Sequence, residues 1–262
     1  MLYGAHDSAE NSWSAEELEK ELQDIDIWFL ENIGWTEDAV EYLKAFATGK
    51  YVIPEHFDPI LKSQLEALGR LGRAGKEIGV GFIDLPEGHP LIDHLRQDLN
   101  GVFFDFQSGN FDDAVRKMKS CALKDASIEK RREEHMQQHV GPEVDRIVQK
   151  NPRLQEKLKK GEKLNILMTL GTRHTALSRD LKDEGHSVER KFNHELPFTF
   201  APFHELVRRY RFSQEVDQRL VAQALLFPSL LSALTFLDIV KMERVANKIA
   251  RTASLEAYAA FL

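Results

Sequence analysis

The sequence predicts an α/β protein with a central, mostly parallel sheet flanked by helices and with an all-helical C-terminal extension. Short apolar runs of strand length alternate with amphipathic stretches through most of the chain. This alternation is typical of parallel sheets whose strands are joined by helices. From Phe203 to the end, the apolar residues recur at helical spacing, which predicts the extension.

The first helix and the first two long strands are indicated by local patterns. Ser14 followed three residues later by Glu17 is the pattern of a capping box, which predicts a helix start. Residues 24–31 (DIDIWFLE) are rich in β-branched and aromatic residues and predict a strand. Residues 77–85 (EIGVGFIDL) predict a second strand, whose glycines allow close packing. Residues 36–72 are helical in pattern, with interruptions at two prolines.

The middle of the chain is predominantly helical in its periodicity. Residues 101–106 (GVFFDF) fit either a strand or a buried turn of helix. Residues 108–160 follow helical spacing, and we expect breaks at Gly141-Pro142 and Asn151-Pro152 because proline cannot donate a helical hydrogen bond.

Residues 164–170 (LNILMTL) form the most clearly predicted strand. A helix over 172–184 follows, with Gly185 as the residue just beyond its C-cap. Residues 186–192 (HSVERKF) predict a further strand. At the start of the chain, the very short apolar run MLYG precedes His6.

Residues 220–237 contain no charged side chain and approach the length of a membrane span. Gln223, two serines and Pro228 argue against a span. Because proline fits the first turn of a helix, we expect two buried helices that meet at Phe227-Pro228. A further functional class is an interaction module, in which the apolar helices from Val216 onward pair with a partner protein or with a second copy of the chain to form a homo-oligomer.

Length and charge limit the possible functions. The 262 residues can form one large domain, and we assign 1–262 to a single α/β domain with a core over 1–202 and a helical extension over 203–262. The net charge of −7 argues against a nucleic-acid partner, which would require a basic face. Cys121 is the only cysteine, so no intramolecular disulfide can form. No signal peptide is visible, and we expect a cytoplasmic protein.

Polar side chains stand where several predicted strands end. His174 follows the strand over 164–170, His6 follows MLYG, and Glu31 closes the strand over 24–31. In open α/β sheets, ligands bind beyond the carboxyl ends of the strands. Asp84 ends another strand and is expected to line the same crevice. We therefore expect a site at this edge of the sheet.

A charged helical segment, 131–136 (RREEHM), completes the candidate site. Docked over the strand ends, Arg132 would hold a carboxylate or stabilise an oxyanion, and Glu134 would act as a base or a ligand.

The ordered set of these motifs resembles the TraB/TIKI superfamily, which includes ChaN-like haem-binding proteins and erythromycin esterases. The resemblance covers about residues 1–192 and rests on Gly4-Ala5-His6, Glu31, the 132–136 segment and Gly171-Thr172-Arg173-His174. It implies an α/β fold whose halves bring the two histidines together. Several members of the superfamily carry out metal-dependent hydrolysis, and the resemblance implies this activity as well. The first motif has one spacer residue where the family usually has two.

The leading functional prediction is a metal-dependent hydrolase acting on a peptide, amide or ester bond of a peptide or small-molecule substrate. A divalent ion (manganese, cobalt or zinc), held by His6 and His174 with Glu31 or Glu134, would lower the pKa of a bound water. The other carboxylate would act as general base, and Arg132 would stabilise the oxyanion. Two alternatives are a metal-free hydrolase with a histidine base and a non-catalytic protein that binds haem.

Two further histidine pairs are present. His135 and His139 are four residues apart, a spacing that can hold zinc on one helix face, but the sequence HMQQH lacks the glutamate of H-E-x-x-H. His89 and His94 are expected to flank a turn at Pro90.

Overall fold

The computed structural model describes residues 2–4, 13–50, 59–94, 99–171, 174–192 and 202–233. The chain divides into two compact units. The first is formed by Met1–Ile92 and Arg132–Leu196, and the second by Asp93–Arg131 and Pro197–Leu262. His6 and Arg173, which carry part of the sequence predictions, lie outside the described residues.

The described strands and helices follow one another along the chain much as the sequence patterns predict. The strands are β1 (Leu2–Gly4), β2 (Ile27–Leu30), β3 (Gly79–Phe82), β4 (Ile166–Gly171) and β5 (Lys191–Phe192). The helices are α1 (Ala15–Glu21), α2 (Glu37–Ala47), α3 (Pro59–Arg73), α4 (Asn100–Gln107), α5 (Phe111–Gln149), α6 (Pro152–Lys159), α7 (Thr175–Asp183), α8 (Pro202–Arg211) and α9 (Gln218–Ala233).

The strands form one sheet in the order β3-β2-β4-β1-β5. All of the strand pairings among the described residues are parallel. In register, Leu30 of β2 lies opposite Phe82 of β3 and Thr169 of β4. The predicted α/β fold is therefore confirmed, and β2, β3 and β4 end at the same edge of the sheet.

Helices cover both faces of this sheet. Trp28 and Leu30 of β2 pack into a hydrophobic cluster with side chains of α1, α2 and α3. Ile27 and Phe29 pack into a second cluster with side chains of α5, α6 and α7. Because successive residues of a strand point to opposite faces, burial on both faces explains the continuous apolar sequence of β2.

The glycines of β3 bring α5 close to the sheet. A Cβ atom on Gly79 would collide with Ile147, and one on Gly81 would collide with Glu143. Both partners lie on α5, so the missing side chains of these glycines let this helix pack directly against β3. This confirms the close packing expected from the glycines of residues 77–85.

The second unit is helical in its described part. It contains α4, α8, α9 and the portion of α5 up to Arg131. Its core includes Phe106 of α4, Met118 of α5, Leu206 of α8 and Leu225 of α9. The ambiguous segment GVFFDF is thus helical, and the predicted C-terminal helices are present as α8 and α9.

Two predicted helix breaks at proline are wrong. Helix α5 continues through Gly141-Pro142, and α9 continues through Pro228, where two helices were expected. A proline inside a helix costs about 3 kcal/mol through the lost hydrogen bond and ring clash. Buried residues on both sides of Pro142, Met136 and Ile147 among them, supply packing that opposes this cost.

Other local predictions are confirmed. Ser14 and Glu17 form the capping box of α1, and Asn151 caps α6 so that Pro152 stands at its first position. Gly185 follows the C-cap of α7 with a φ of +93°, a conformation that favours glycine. The strand expected over 186–192 is reduced to β5.

Candidate functional site

The carboxyl ends of β2, β3 and β4 present three polar side chains. Glu31 directly follows β2, Asp84 lies two residues beyond β3, and His174 lies three residues beyond β4. The Glu31 N–H donates to the Thr169 carbonyl at 3.2 Å, which extends the β2–β4 pairing to the start of the site. Because these strands are parallel neighbours, the sheet itself delivers these residues to one edge.

Glu31 is the centre of the arrangement. Its Oε1 lies 2.9 Å from His174 Nε2 and accepts a hydrogen bond of 2.6 Å from Arg132 Nη2. Its Oε2 accepts from the Gly171 N–H at the end of β4. The carboxylate thus contacts one backbone group and two side-chain groups: the Gly171 N–H and the His174 ring come from the end of β4, and the Arg132 guanidinium comes from the charged segment 131–136.

Arg132 joins Glu31 to a second buried carboxylate. Its Nε donates to Asp84 Oδ1 at 2.8 Å, and its Nη2 donates to Asp84 Oδ2 at 2.5 Å. Asp84 has no exposed surface, and its Oδ1 also accepts from the Leu85 N–H at 2.8 Å. A guanidinium that contacts a carboxylate through two parallel bonds is fixed in its plane. Asp84 therefore orients Arg132 toward Glu31.

The imidazole of His174 lies between two glutamates. Its Nδ1 is 3.5 Å from Glu133 Oε1, while Nε2 faces Glu31. His174 is 1% exposed and Glu133 is 2% exposed. A neutral imidazole has a proton on only one nitrogen, so it can donate to only one of these carboxylates. With the proton on Nε2 and directed to Glu31, the lone pair is on Nδ1.

The cluster concentrates ionisable groups in a space with little exposed surface. Among the described residues it contains the carboxylates of Glu31, Asp84 and Glu133, the guanidinium of Arg132 and the imidazole of His174. Buried charges are costly unless they are paired. Concentrations of buried ionisable groups of this kind are typical of functional sites.

Helix α5 contributes two of these groups because of its periodicity. Glu129, Arg132, Glu133, Met136 and Val140 are all buried, at spacings of three and four residues that place them on one face. Glu134, which was predicted to act as a base or a ligand, is exposed, whereas its neighbour Glu133 is buried and lies 3.5 Å from His174. The signal that identifies Glu133 was present, since this residue is three positions before the buried Met136.

The structure thus brings together three of the five predicted site residues. Glu31, Arg132 and His174 are in direct contact. Asp84, which was expected to line the crevice, touches Arg132. Glu134 is on the exposed face of α5, and His6 lies outside the described residues.

The predicted divalent metal was assigned to His6, His174 and Glu31. Of these, His174 Nε2 and Glu31 Oε1 face each other, and the Arg132 guanidinium lies 2.6 Å from the same oxygen. A divalent cation at Glu31 would be repelled by this positive charge. No group of three or more His, Cys, Asp or Glu side chains in the described part of the chain is placed to hold a metal ion. The described residues alone do not fit a metal, and the metal remains a prediction that depends on His6.

Two further findings bear on the class of protein. Within the described ranges, no helix is both long enough and apolar enough to cross a membrane. Comparison with protein-family models, curated proteins and solved structures gives no match. The resemblance to the TraB/TIKI superfamily therefore stays a prediction.

Proposed function

We propose that this protein is a hydrolase of a peptide, amide or ester bond that uses His174 as its proton-transfer group. The observation that carries this proposal is the His174–Glu31 pair at the carboxyl ends of parallel strands. His174 Nε2 lies 2.9 Å from Glu31 Oε1. A carboxylate that accepts from one ring nitrogen fixes the tautomer, and the other nitrogen acts as the base.

In this proposal, Nδ1 of His174 takes a proton from a water molecule as the water oxygen attacks the substrate carbonyl carbon. The tetrahedral intermediate collapses as the bond to the leaving oxygen or nitrogen breaks, and the leaving group receives the proton from Nδ1. The Glu133 carboxylate, 3.5 Å from Nδ1, stabilises the protonated ring between these steps.

Arg132 has a positioning role in this scheme. Its bonds to Asp84 and Glu31 align the Glu31 carboxylate with His174. Arg132 was predicted to stabilise an oxyanion. Its hydrogen bonds to Asp84 and Glu31 instead favour a role in positioning the Glu31 carboxylate.

The test is hydrolysis of a panel of chromogenic esters, anilides and peptides by the wild type and by His174→Gln. We expect activity on one substrate class to fall by about 100-fold or more in His174→Gln, the range for loss of a general base. His186→Gln is the matched control, because His186 is 63% exposed and lies 3.9 Å from Glu184 in a similar histidine–glutamate pair. This variant should keep wild-type activity.

Equal activity in wild type and His174→Gln, or no hydrolysis across the panel, would refute the proposal. Treatment with a chelator separates the two hydrolytic mechanisms. Unchanged activity supports the histidine base, whereas loss that manganese, cobalt or zinc restores supports the metal-dependent alternative.

A further inference from the structure

Trp35 ties the loop after β2 to the segment after β3, at the edge of the sheet where the candidate site lies. Its indole Nε1–H donates to the Asp84 carbonyl oxygen at 2.7 Å. Its ring stacks on that of Phe82, with the ring centroids 5.8 Å apart and the planes inclined by 28°. The indole of this half-buried residue is thus held both by a directional hydrogen bond and by an apolar contact.

Backbone contacts add to this connection. The Gly34 N–H donates to the Leu85 carbonyl at 2.8 Å, and Trp35 forms an isolated parallel bridge with Pro86. The pairing of β2 with β3 therefore resumes beyond the ends of the two strands. Glu31 lies between the end of β2 and this second contact, so the loop that begins at Glu31 is held at both of its ends.

The hydrogen bond from Trp35 to Asp84 is the first of a continuous series of contacts that ends at the imidazole of the site. Asp84 accepts two bonds from the Arg132 guanidinium, which donates to Glu31 at 2.6 Å. Glu31 Oε1 lies 2.9 Å from His174 Nε2. All of these residues belong to the first compact unit. Because the guanidinium holds both carboxylate oxygens of Asp84, a shift of the Asp84 backbone would also move Arg132.

We infer that Trp35 is a positioning residue of the hydrolase, an inference that rests on the proposed function. It acts through Asp84 and Arg132 to hold Glu31 against His174. Small displacements of a general base slow the chemical step, whereas substrate affinity depends on the contacts made by the rest of the substrate. Loss of the indole donor should therefore lower kcat and leave KM unchanged.

The test variant is Trp35→Phe, because phenylalanine keeps an aromatic ring against Phe82 but has no N–H for the Asp84 carbonyl. Trp13→Phe is the matched control. Trp13 packs against the same hydrophobic cluster as Trp35, and its Nε1 has no hydrogen-bond partner among the residues that the structure describes. The control therefore repeats the loss of ring volume without the loss of a hydrogen bond.

The kinetic measurement uses the substrate that the wild type hydrolyses best. We expect kcat to fall about tenfold in Trp35→Phe while KM stays within about twofold of the wild type. Trp13→Phe should keep the kcat and the KM of the wild type. Circular dichroism and the unfolding midpoint check that both variants are folded. An equal kcat in the two variants, or a change in KM alone, would overturn the inference.

A second measurement does not depend on turnover. Nuclear magnetic resonance of the full chain, isotopically labelled at its histidines, detects the His174 ring, whose signals are assigned by their absence in His174→Gln. The Nε2 proton should exchange with solvent about tenfold faster in Trp35→Phe than in Trp13→Phe, because its hydrogen bond to Glu31 opens more often. Equal exchange rates would overturn the inference. If no substrate of the panel is hydrolysed, faster exchange in Trp35→Phe would still support its positioning of His174, so the failure of the proposed function and the failure of this inference are distinguishable.

Discussion

The two ends of strand β2 carry carboxylates with different surroundings. Asp26 immediately precedes the strand and Glu31 immediately follows it. At the amino end, Asp26 accepts from Lys157 Nζ at 2.6 Å, Arg153 Nη1 at 3.1 Å and the Asn165 N–H at 2.9 Å. Two cationic side chains therefore pair with Asp26 at that end.

This environment stabilises the ionised form of Asp26. Burial by itself would raise the pKa of Asp26, but the Asn165 N–H and the Lys157 and Arg153 side chains together hold it below 3.8. The two cations extend to the surface, where the Arg153 side chain is 44% exposed. Asp26 thus serves as an anchor that joins α6 and the start of β4 to β2.

The carboxyl end of β2 differs in its burial. Among the described residues there, the carboxylates of Glu31, Asp84 and Glu133 lie with the guanidinium of Arg132 and the imidazole of His174, and each of these side chains is 10% exposed or less. Ionisable groups buried against one another cost stability without improving packing, whereas Asp26 is paired with cations that reach the surface. The comparison teaches that the chemistry is to be sought at the carboxyl end, and three predictions test it.

The largest expected effect is that of Arg132→Met. Removal of this guanidinium leaves Glu31 and Asp84 buried without their shared cation, which should lower the free energy of unfolding by about 3 to 5 kcal/mol. Urea denaturation at neutral pH measures the loss. Arg153→Met is the matched control at the amino end, where Lys157 still contacts Asp26 and a partly exposed pair contributes about 1 kcal/mol or less. Equal losses in the two variants would remove the distinction between the two ends.

An intermediate effect is expected from Asp26→Asn. The loss of charge-assisted hydrogen bonds from Lys157 and Arg153 should cost about 1 to 3 kcal/mol at neutral pH. Because the folded-state pKa of Asp26 is lowered, its contribution is present above pH 3.8 and is lost as the pH falls through the folded-state pKa. Denaturation curves at decreasing pH should therefore converge below that value. If the difference in the free energy of unfolding between the wild type and Asp26→Asn stayed constant as the pH fell, the charge of Asp26 would not be what stabilises the fold.

The effect that is smallest at neutral pH concerns the pH dependence of the carboxyl end. The pKa of His135 is about 4 in the folded chain and 6.5 when unperturbed, so the unfolded chain binds more protons between these values. Stability should decrease as the pH falls from 6.5 to about 4, a milder range than the one that affects Asp26. His139, His89 and Asp84 face the ring. In His135→Gln, this decrease in the free energy of unfolding should be shallower than in the wild type. If the free energy of unfolding fell equally with pH in the two proteins, the decrease would not come from His135.

The sequence was sufficient to predict the fold class because each long strand is a local apolar run. It also placed Glu31, His174 and Asp84 at strand ends, since that position depends only on where a run stops. The side of α5 that faces inward was harder to choose. Glu133 and Glu134 are adjacent and identical in type, and only the spacing to Met136 distinguishes them.

The proline errors have a different origin. Local rules assign a helix break to Gly141-Pro142, but the free energy that opposes it comes from side chains distant in sequence, such as Leu177 and Leu181 of α7. The pairing of Arg132 with Asp84, 48 positions away, is likewise absent from any local pattern.

These separations also set the order in which the site is assembled during folding. Glu31 contacts Arg132 across 101 positions and His174 across 143 positions. Contacts between such distant residues form slowly, because a long loop must close before they contribute. A nascent chain that ends before β4 lacks the Gly171 N–H and the His174 ring, so Glu31 cannot yet be fully paired. We therefore expect the charge cluster to be completed late in folding, after β4 has joined β2.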